Sequence, residues 1–448
     1  MTFSDSQASI IVLFFRVAGV VGQAATIILL ANHLDLADMG IFSAVYVFWG
    51  LVRMLGPLGL DQLALREVAH ARANNRQGSA RAVYEHTCRL VTGAGIGIAV
   101  ITFAILISLR AWSSHALSLL DATLIASAVP PFCLMGIQAA ALRGYGRNIT
   151  SQATESFGFQ LLLVLCLLAQ LSVAKLTITS ALFWSTVCVW LTMVVYFGIL
   201  RRCVAGDLEA LTADVKRRIW KEGLEFWQAL LLIGLSARAP TYISLLLLGP
   251  AQTAIMEIAI RFGTLPTIFT TAVTSTFTPT LAQLYAQNAR KSLSKNLAVS
   301  SWLSFIPSAC TLVGTTVLGS WLLEVFFPPA YQQAYIPLIV ILLATTVNGA
   351  FGMSSLLLLV SGHQLLVRKY SALQLLLVAL FGIAFGYQFG VVGLACAVLV
   401  GFVAFDVGLA LQIKRTIQVT GFLQLNGLRT LTTSFTEGAL SVETNNPR

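Results

Sequence analysis

Residues 161–168 read LLLVLCLL, and this run indicates the class of fold. Its apolar residues do not alternate with polar ones, as they would in a strand of a membrane β-barrel, so the run predicts a helix. Around it, the 448-residue chain is 57% hydrophobic and only 10% charged, whereas soluble domains carry about a quarter charged residues. Apolar stretches of about twenty residues, long enough to cross about 30 Å of hydrocarbon, recur along the chain. We therefore predict an all-α polytopic membrane protein.

Twelve apolar segments are predicted as transmembrane spans, numbered in chain order. They lie near residues 9–31, 39–60, 90–109, 118–142, 156–172, 177–200, 223–248, 251–281, 297–325, 334–360, 370–388 and 391–412. We predict a bundle of six spans at 1–200, a basic cytoplasmic linker at 201–222, a second bundle of six at 223–412, and a polar cytoplasmic tail at 413–448, largely disordered.

A weak internal repeat supports the division into two pseudo-symmetric bundles. A shift of about 214 residues places ANNR at 73–76 over QNAR at 287–290, each at the end of a basic loop. Six spans separate the two copies, and an even number preserves their direction in the membrane. This is the arrangement of parallel repeats in transporters, where two bundles move around a central site.

The distribution of basic residues predicts the orientation of the chain. Of 28 Lys and Arg, four lie inside spans and two, Arg110 and Lys175, lie in loops on one side, which leaves 22 on the other. Short basic loops stay in the cytoplasm, so we expect both termini there and the chain in a bacterial inner membrane. The net charge of +10 is then a topology signal, and nucleic-acid binding is not expected. The first apolar segment is predicted to be a retained span rather than a signal peptide.

No pattern of residues predicts catalysis, a cofactor or a metal. The seven cysteines lack a C-x-x-C spacing, and the five histidines are scattered singly. Neither distribution predicts disulfides or a zinc site. We therefore expect that the chain is not an enzyme and needs no cofactor.

Apart from residues at the edges of spans, such as Asp121, six ionisable residues are predicted inside the spans. At the centre of a span each costs about 3 kcal/mol on insertion scales. They are the cations Arg16, Arg53, Arg238 and Arg261 and the anions Glu257 and Asp406. The helical rise places the first two arginines roughly 10 Å from the cytoplasmic face and the other two roughly 15 Å from the outer face. A guanidinium donates two parallel hydrogen bonds to phosphate and keeps its charge when desolvated. The four arginines therefore predict two layers of binding positions for a diphosphate.

Structural roles for these charges stay open. Arg16 and Arg53 lie near enough to the membrane face for their side chains to snorkel to the headgroups. Glu257 precedes Arg261 by four residues, the favourable order for an ion pair on one helical face. Asp406 is a candidate to pair with Arg16 or Arg53, and Glu257 and Asp406 are both candidates for a gate or for coupling. Pro57 and Pro240 lie close to arginines and predict kinks, although prolines are common in membrane helices.

The chain resembles a family of transporters along three stretches. They are residues 28–67 (ILLANHLDLADMGIFSAVYVFWGLVRMLGPLGLDQLALRE), 248–287, and 326–362, which contains FFPPAYQQAYIPLIVILL. The family is that of the polysaccharide transporters, the O-antigen and exopolysaccharide flippases of the multidrug/oligosaccharidyl-lipid/polysaccharide exporter superfamily. That superfamily also contains the lipid II flippase. The similarity covers nearly all of residues 9–412.

The resemblance implies a fold and a function. The fold is a V-shaped pair of six-helix bundles whose central cleft is lined by spans 1, 2, 7 and 8, and the four buried arginines fall on these spans. Arg16 and Arg53 look similar to cleft arginines of the lipid II flippase. The implied substrate is a polyprenyl-diphosphate-linked oligosaccharide, moved between leaflets amid membrane lipids, with a polysaccharide polymerase and chain-length proteins as partners.

Three other functions are alternatives to the flippase. A drug or organic-cation antiporter of the same superfamily would need carboxylates in the first bundle, and Asp121 is the only one predicted within spans 1–6. A major-facilitator permease would carry G-x-x-x-D-R-x-G-R after span 2, where residues 61–67 read DQLALRE. A polytopic glycosyltransferase or polymerase would need a large outer loop, and the predicted outer loops are short.

Overall fold

The computed structural model describes residues 5–74, 76–110, 117–203, 212–419 and 423, and these residues form helices joined by short connections, with no strand among them. The chain divides into two compact units, Met1–Arg238 and Ala239–Arg448. The division falls inside a helix rather than in the predicted linker at 201–222. Residues 204–211 of that linker and nearly all of the tail beyond residue 419 lie outside the described residues.

Most helices of the first unit lie within residues 5–203. They are α1 (Asp5–His33), α2 (Leu36–Leu55), α3 (Leu60–Ala73), α4 (Gln77–Arg110), α5 (Leu119–Ser127), α6 (Val129–Gly144), α7 (Asn148–Gln152), a π-helix (Ala153–Gly158), α8 (Phe159–Val173) and α9 (Ile178–Cys203). Helix α10 (Ala213–Leu247) begins in this unit and passes into the second.

The second unit continues from α10. Its helices are α11 (Pro250–Gly263), α12 (Thr267–Ala286), α13 (Arg290–Phe326), a 3-10 helix (Pro329–Ala334), α14 (Tyr335–Phe351), α15 (Ser354–Val360) and α16 (Gln364–Thr416). Helix α14 packs against α11, α13 and α16 and contributes much of the buried surface of this unit.

Ten helical segments among the described residues are long and apolar enough to cross a membrane. The difference from twelve has two local causes. Helix α16 runs through Gly390, whose backbone is not helical (φ 60°, ψ −138°), so it covers both predicted spans 11 and 12. Predicted span 8 is divided at Pro266, which cannot donate a backbone hydrogen bond, into α11, which is short (14 residues), and α12, which is rich in threonine. The predicted all-α polytopic architecture is confirmed.

Helix α6 forms the centre of the first unit, where it packs against α2, α3, α4 and α9. Small residues allow this close packing, as in other membrane bundles. At Gly144, a Cβ would lie 2.9 Å from the side chain of Val68 on α3. The indole of Trp49 on α2 donates to the carbonyl of Ile125 (3.1 Å), and its ring stacks on Phe132 of α6. These contacts fix α2, which carries Arg53, against the core of the unit.

The end of α2 is set by the sequence Gly56-Pro57-Leu58-Gly59. Helix α2 ends at Leu55, and the next helix begins only at Leu60. Leu58 and Gly59 have positive φ angles of 56° and 73°. A Cβ at Gly59 would also clash with the carbonyl of Gly223 on α10. The turn therefore needs a glycine at this position, both for its backbone conformation and for the approach of α10.

Candidate substrate-binding arginines

Arg53 lies in the last turn of α2, and its guanidinium forms an ion pair with the carboxylate of Glu155. The two residues are 102 positions apart in the chain and both belong to the first unit. The Arg53 side chain is 32% exposed and that of Glu155 is 17% exposed. One part of the guanidinium is thus neutralised inside the protein, while about a third of the side chain stays open to the surroundings.

Glu155 lies in the π-helix, within a candidate span that runs over Asn148–Val173. The predicted span 5 began at residue 156, so the sequence reasoning placed Glu155 outside the membrane. The prediction that Asp121 is the only carboxylate in the first six spans is therefore wrong. The polar run NITSQATESFG at 148–158 concealed the start of the span, because a hydropathy criterion excludes such a segment.

Hydrogen bonds hold the chain on both sides of the π-helix. Before it, the hydroxyl of Tyr196 on α9 donates to the carbonyl of Ser151 (3.0 Å), and the Ser151 hydroxyl donates to the carbonyl of Ala139 on α6 (3.0 Å). After it, the amide of Gln160 donates to the hydroxyl of Tyr46 on α2 (2.6 Å). Within Ala153–Gly158 no residue is fully buried. Glu155 is thus carried by a turn that has no fully buried residue and that lies between two anchored ends.

Asp121 has a structural role at the start of α5. Its carboxylate accepts hydrogen bonds from the backbone N–H (2.9 Å) and the hydroxyl (2.6 Å) of Ser118, and the Ser118 hydroxyl accepts from the Asp121 N–H (3.0 Å). This reciprocal pattern is a capping box, which satisfies donors at a helix N-terminus. Asp121 therefore caps the N-terminus of α5 rather than offering its carboxylate to a substrate.

Arg238 lies beside the same stretch of α2 as Arg53. Helix α10 runs along α2, with the indole of Trp227 donating to the carbonyl of Leu55 (2.9 Å). Farther along α10, a guanidinium nitrogen of Arg238 lies 3.7 Å from the Cβ position of Gly50. Gly50 precedes Arg53 by three residues, which is about one helical turn. Two of the predicted arginines therefore converge on one part of the first unit.

Arg16 lies on the part of α1 that packs against the π-helix. The ring of Phe15 lies 5.8 Å from that of Phe157, and a Cβ at Gly19 would lie 2.6 Å from the carbonyl oxygen of Ser156. Arg16 is adjacent to the first contact and one turn before the second, and its side chain is partly buried. The π-helix thus connects the environment of Arg16 with that of Arg53.

Arg261 lies in the second unit and forms the ion pair that its spacing from Glu257 predicts. The Arg261 Nε donates to Glu257 at 3.1 Å, and the hydroxyl of Thr241 donates to the other carboxylate oxygen. The two charged side chains are only 15% and 3% exposed. Each carboxylate oxygen of Glu257 thus has a partner from its own unit.

Asp406 is buried between α14 and α16 in the second unit. Both of its carboxylate oxygens accept hydrogen bonds from the amide of Asn348, at 3.0 and 3.1 Å. The side-chain partner in this structure is therefore an amide, where the sequence suggested Arg16 or Arg53. A role of Asp406 as a gate or in coupling stays a prediction.

Comparison with known structures gives the same fold over most of the chain. A multidrug resistance transporter of the MATE family in an inward-facing conformation matches with a TM-score of 0.75 at 14% identity, over 92% of this chain and 98% of its own. The lipid II flippase MurJ in an inward closed conformation matches with a TM-score of 0.72 at 14% identity, over 99% and 94%. A transporter of the MOP superfamily from Pyrococcus furiosus Vc1 matches with a TM-score of 0.63 at 14% identity, over 92% and 95%.

No curated protein sequence is a significant match to the chain. A family model described as "polysaccharide biosynthesis protein" matches residues 9–285, which is more than half of the 448 residues. The matched region contains the four predicted substrate-binding arginines and also Glu155, which the sequence analysis did not predict. The fold of a two-unit membrane transporter, found above, agrees with the predicted family of polysaccharide transporters. The chain belongs to the polysaccharide biosynthesis protein family.

Proposed function

We propose that the chain is a flippase that moves a polyprenyl-diphosphate-linked oligosaccharide from the cytoplasmic to the periplasmic leaflet, for O-antigen or exopolysaccharide assembly. The observation that carries the proposal is Arg53, a cation in a membrane helix whose side chain is about one-third exposed. The guanidinium of Arg238 lies beside Gly50, about one turn before Arg53 on α2. Arg16 and Arg261 are proposed to be further binding positions for the diphosphate along the transport path. The arginines would be exposed to the two membrane faces in turn.

The chemistry of the substrate fits these cations. A diphosphate offers several oxygens to the planar fork of a guanidinium, which binds them through two parallel hydrogen bonds. Cations within membrane spans are costly and commonly mark a substrate path. The similarity in fold to a lipid II flippase, which carries a lipid-linked substrate, supports the same class of substrate here.

We further propose that both termini and the basic loops are cytoplasmic in a bacterial inner membrane. Most of the basic residues outside the spans then lie on one side, as the positive-inside rule requires. Cysteines introduced at Arg76, Arg147, Arg218, Arg290 and Lys369 should be protected from an impermeant reagent added to intact cells. Labelling at any of these positions would contradict the topology.

A drug or organic-cation antiporter is the second candidate, and Glu155 is the observation in its favour. A carboxylate inside the first unit is what a cationic substrate would bind. In the structure, however, Glu155 already has a cationic partner in Arg53, and a substrate cation would have to displace it. A transport function without bond cleavage is common to both candidates. The proposal also includes a polysaccharide polymerase and chain-length proteins as partners.

Complementation of a strain that lacks this chain tests the proposal through surface polysaccharide. Arg53→Ala should abolish export at normal membrane abundance, and Arg53→Lys should restore it only in part, because an ammonium lacks the bidentate fork. Arg201→Ala is the matched control, since Arg201 is an exposed arginine that lies over the ring of Phe197 at 4.4 Å. Full export by Arg53→Ala, or full rescue by Lys, would oppose the proposal, because a snorkelling arginine is replaceable by Lys.

A further inference from the structure

Glu155 is a carboxylate in a candidate membrane span, and it has no role in the flippase mechanism proposed above. Its partner Arg53 is the arginine that carries the proposed function, and no proline or other local element of sequence requires an acid at this position. An ion pair in a membrane span compensates the charge of a cation while no ligand is bound. The same pair also competes with any anion that approaches the guanidinium.

The surroundings of Glu155 allow it to leave Arg53. The π-helix contains an extra residue per turn, a feature that is rare and is often found at functional sites. Its interior residues are not fully buried, whereas the chain before and after it is held by Tyr196 and Tyr46. The Glu155 side chain can therefore move away from Arg53 without moving the anchored ends.

The exposure of the two side chains leaves room for a competing anion on Arg53. The Glu155 side chain is 17% exposed and that of Arg53 is 32% exposed, so the arginine keeps an open edge that the acid does not cover. A phosphate can bind at this open edge first and complete its contacts only when the carboxylate withdraws. Binding and displacement would then be successive events on one arginine.

We propose that Glu155 is an internal competitor for the diphosphate, an anion of the protein that occupies Arg53 when the substrate is absent and returns to it when the substrate leaves. This inference rests on the proposed function and adds a residue that tunes substrate affinity and release. Glu155 acts through Arg53 and is a positioning residue. Its return lowers the affinity of the arginine for the diphosphate and so promotes release.

Binding of undecaprenyl diphosphate to the purified full-length protein in phosphatidylcholine nanodiscs tests the inference. Glu155→Gln should lower the Kd by at least about tenfold, a change equivalent to ~1.4 kcal/mol. Arg53→Ala should raise the Kd, and Glu155→Gln added to Arg53→Ala should change nothing further. Glu85→Gln is the matched control, because Glu85 also pairs with arginines, Arg81 (2.9 Å) and Arg89 (3.4 Å) on α4. The Glu85→Gln variant should bind undecaprenyl diphosphate with the Kd of the wild type.

Two further readouts separate competition from a structural role. Undecaprenol, which has the lipid chain without the diphosphate, should bind equally to the wild type and to Glu155→Gln. In the wild type, undecaprenyl diphosphate should speed hydrogen exchange in residues 153–158, whereas undecaprenol should not. This second measurement needs no variant and is therefore independent of any folding defect.

The outcomes distinguish the inference from the function on which it rests. An unchanged or weaker Kd in Glu155→Gln, together with a raised Kd in Arg53→Ala, would overturn the inference alone. An unchanged Kd in Arg53→Ala would overturn the proposed role of Arg53 as well. Unaltered exchange in residues 153–158 at saturating undecaprenyl diphosphate would also contradict displacement of Glu155.

Discussion

The ion pair of Arg53 with Glu155 in the first unit and that of Arg261 with Glu257 in the second unit differ in how they form and in how far they are buried. Arg53 and Glu155 are brought together from distant parts of the chain and are 32% and 17% exposed. Arg261 and Glu257 are four residues apart on α11, are 15% and 3% exposed, and share the hydroxyl of Thr241. The first pair is open to a ligand and the second is nearly sealed.

The comparison teaches that charge in a membrane helix has two uses. A sealed pair whose hydrogen bonds are satisfied mainly stabilises local structure, and it becomes costly only when one partner is removed. A half-open pair between helices leaves part of a cation available and can exchange its partner. We therefore attribute a larger share of substrate binding to Arg53 than to Arg261.

The largest expected effect is on stability, and it separates the two pairs. Glu257→Ala should lower the free energy of unfolding by about 3–5 kcal/mol, because Arg261 would lose the carboxylate partner of a buried ion pair. Glu155→Ala should lower it by no more than about 1 kcal/mol, since about a third of the Arg53 side chain is exposed and half-exposed ion pairs contribute little to stability. Unfolding of each purified variant in detergent measures both values. Equal losses would show that exposure does not distinguish the pairs.

A smaller effect is expected from packing of α1 on the π-helix. Gly19→Val should destabilise the first unit by about 1–3 kcal/mol, because even a Cβ at this position would lie 2.6 Å from the carbonyl oxygen of Ser156. Gly97→Val on α4 is the control, as nothing lies within 4 Å of its Cβ position. Thermal unfolding of the two variants side by side checks this. A Gly19→Val protein as stable as the control would contradict close packing of α1 on the π-helix.

The smallest effect should come from the exposed ion pairs between α3 and α10. Arg66 donates to Glu222 at 2.6 Å and to Glu67 at 3.1 Å, and the hydrogen bonds to these acids raise the pKa of Arg66. Its side chain is 54% exposed, so Glu222→Gln should change the free energy of unfolding by less than about 1 kcal/mol. Added salt should reduce even that difference. A loss as large as that of Glu257→Ala would contradict the dependence on burial.

Local sequence predicted the local features of this protein. Apolar runs identified the spans, and the i to i+4 spacing of Glu257 and Arg261 indicated their ion pair, because helix geometry alone brings such residues together. Gly390 lies at the predicted boundary between spans 11 and 12, whereas the interruption of span 8 before Pro266 was not predicted. The predicted features depend on a few neighbouring residues, and one sequence is enough to find them.

The features that the sequence did not predict depend on distant contacts. Glu155 meets Arg53 through the packing of α2 with the segment before α8, and no spacing in the chain encodes a partner 102 residues away. No characteristic residue pattern marks the π-helix, so its sequence cannot be distinguished from that of an ordinary polar loop. The course of α10 along α2, which brings Arg238 to Gly50, likewise follows from packing.

Flipping by the purified protein tests the central claim most directly. The full-length chain would be reconstituted in liposomes with a fluorescent polyprenyl-diphosphate-linked sugar, and the fraction accessible from outside would be followed over time. The wild type should move the lipid between leaflets without altering it chemically, and Arg53→Ala should move it no faster than protein-free liposomes do. Equal rates for Arg53→Ala and the wild type, or no movement by the wild type, would contradict the account.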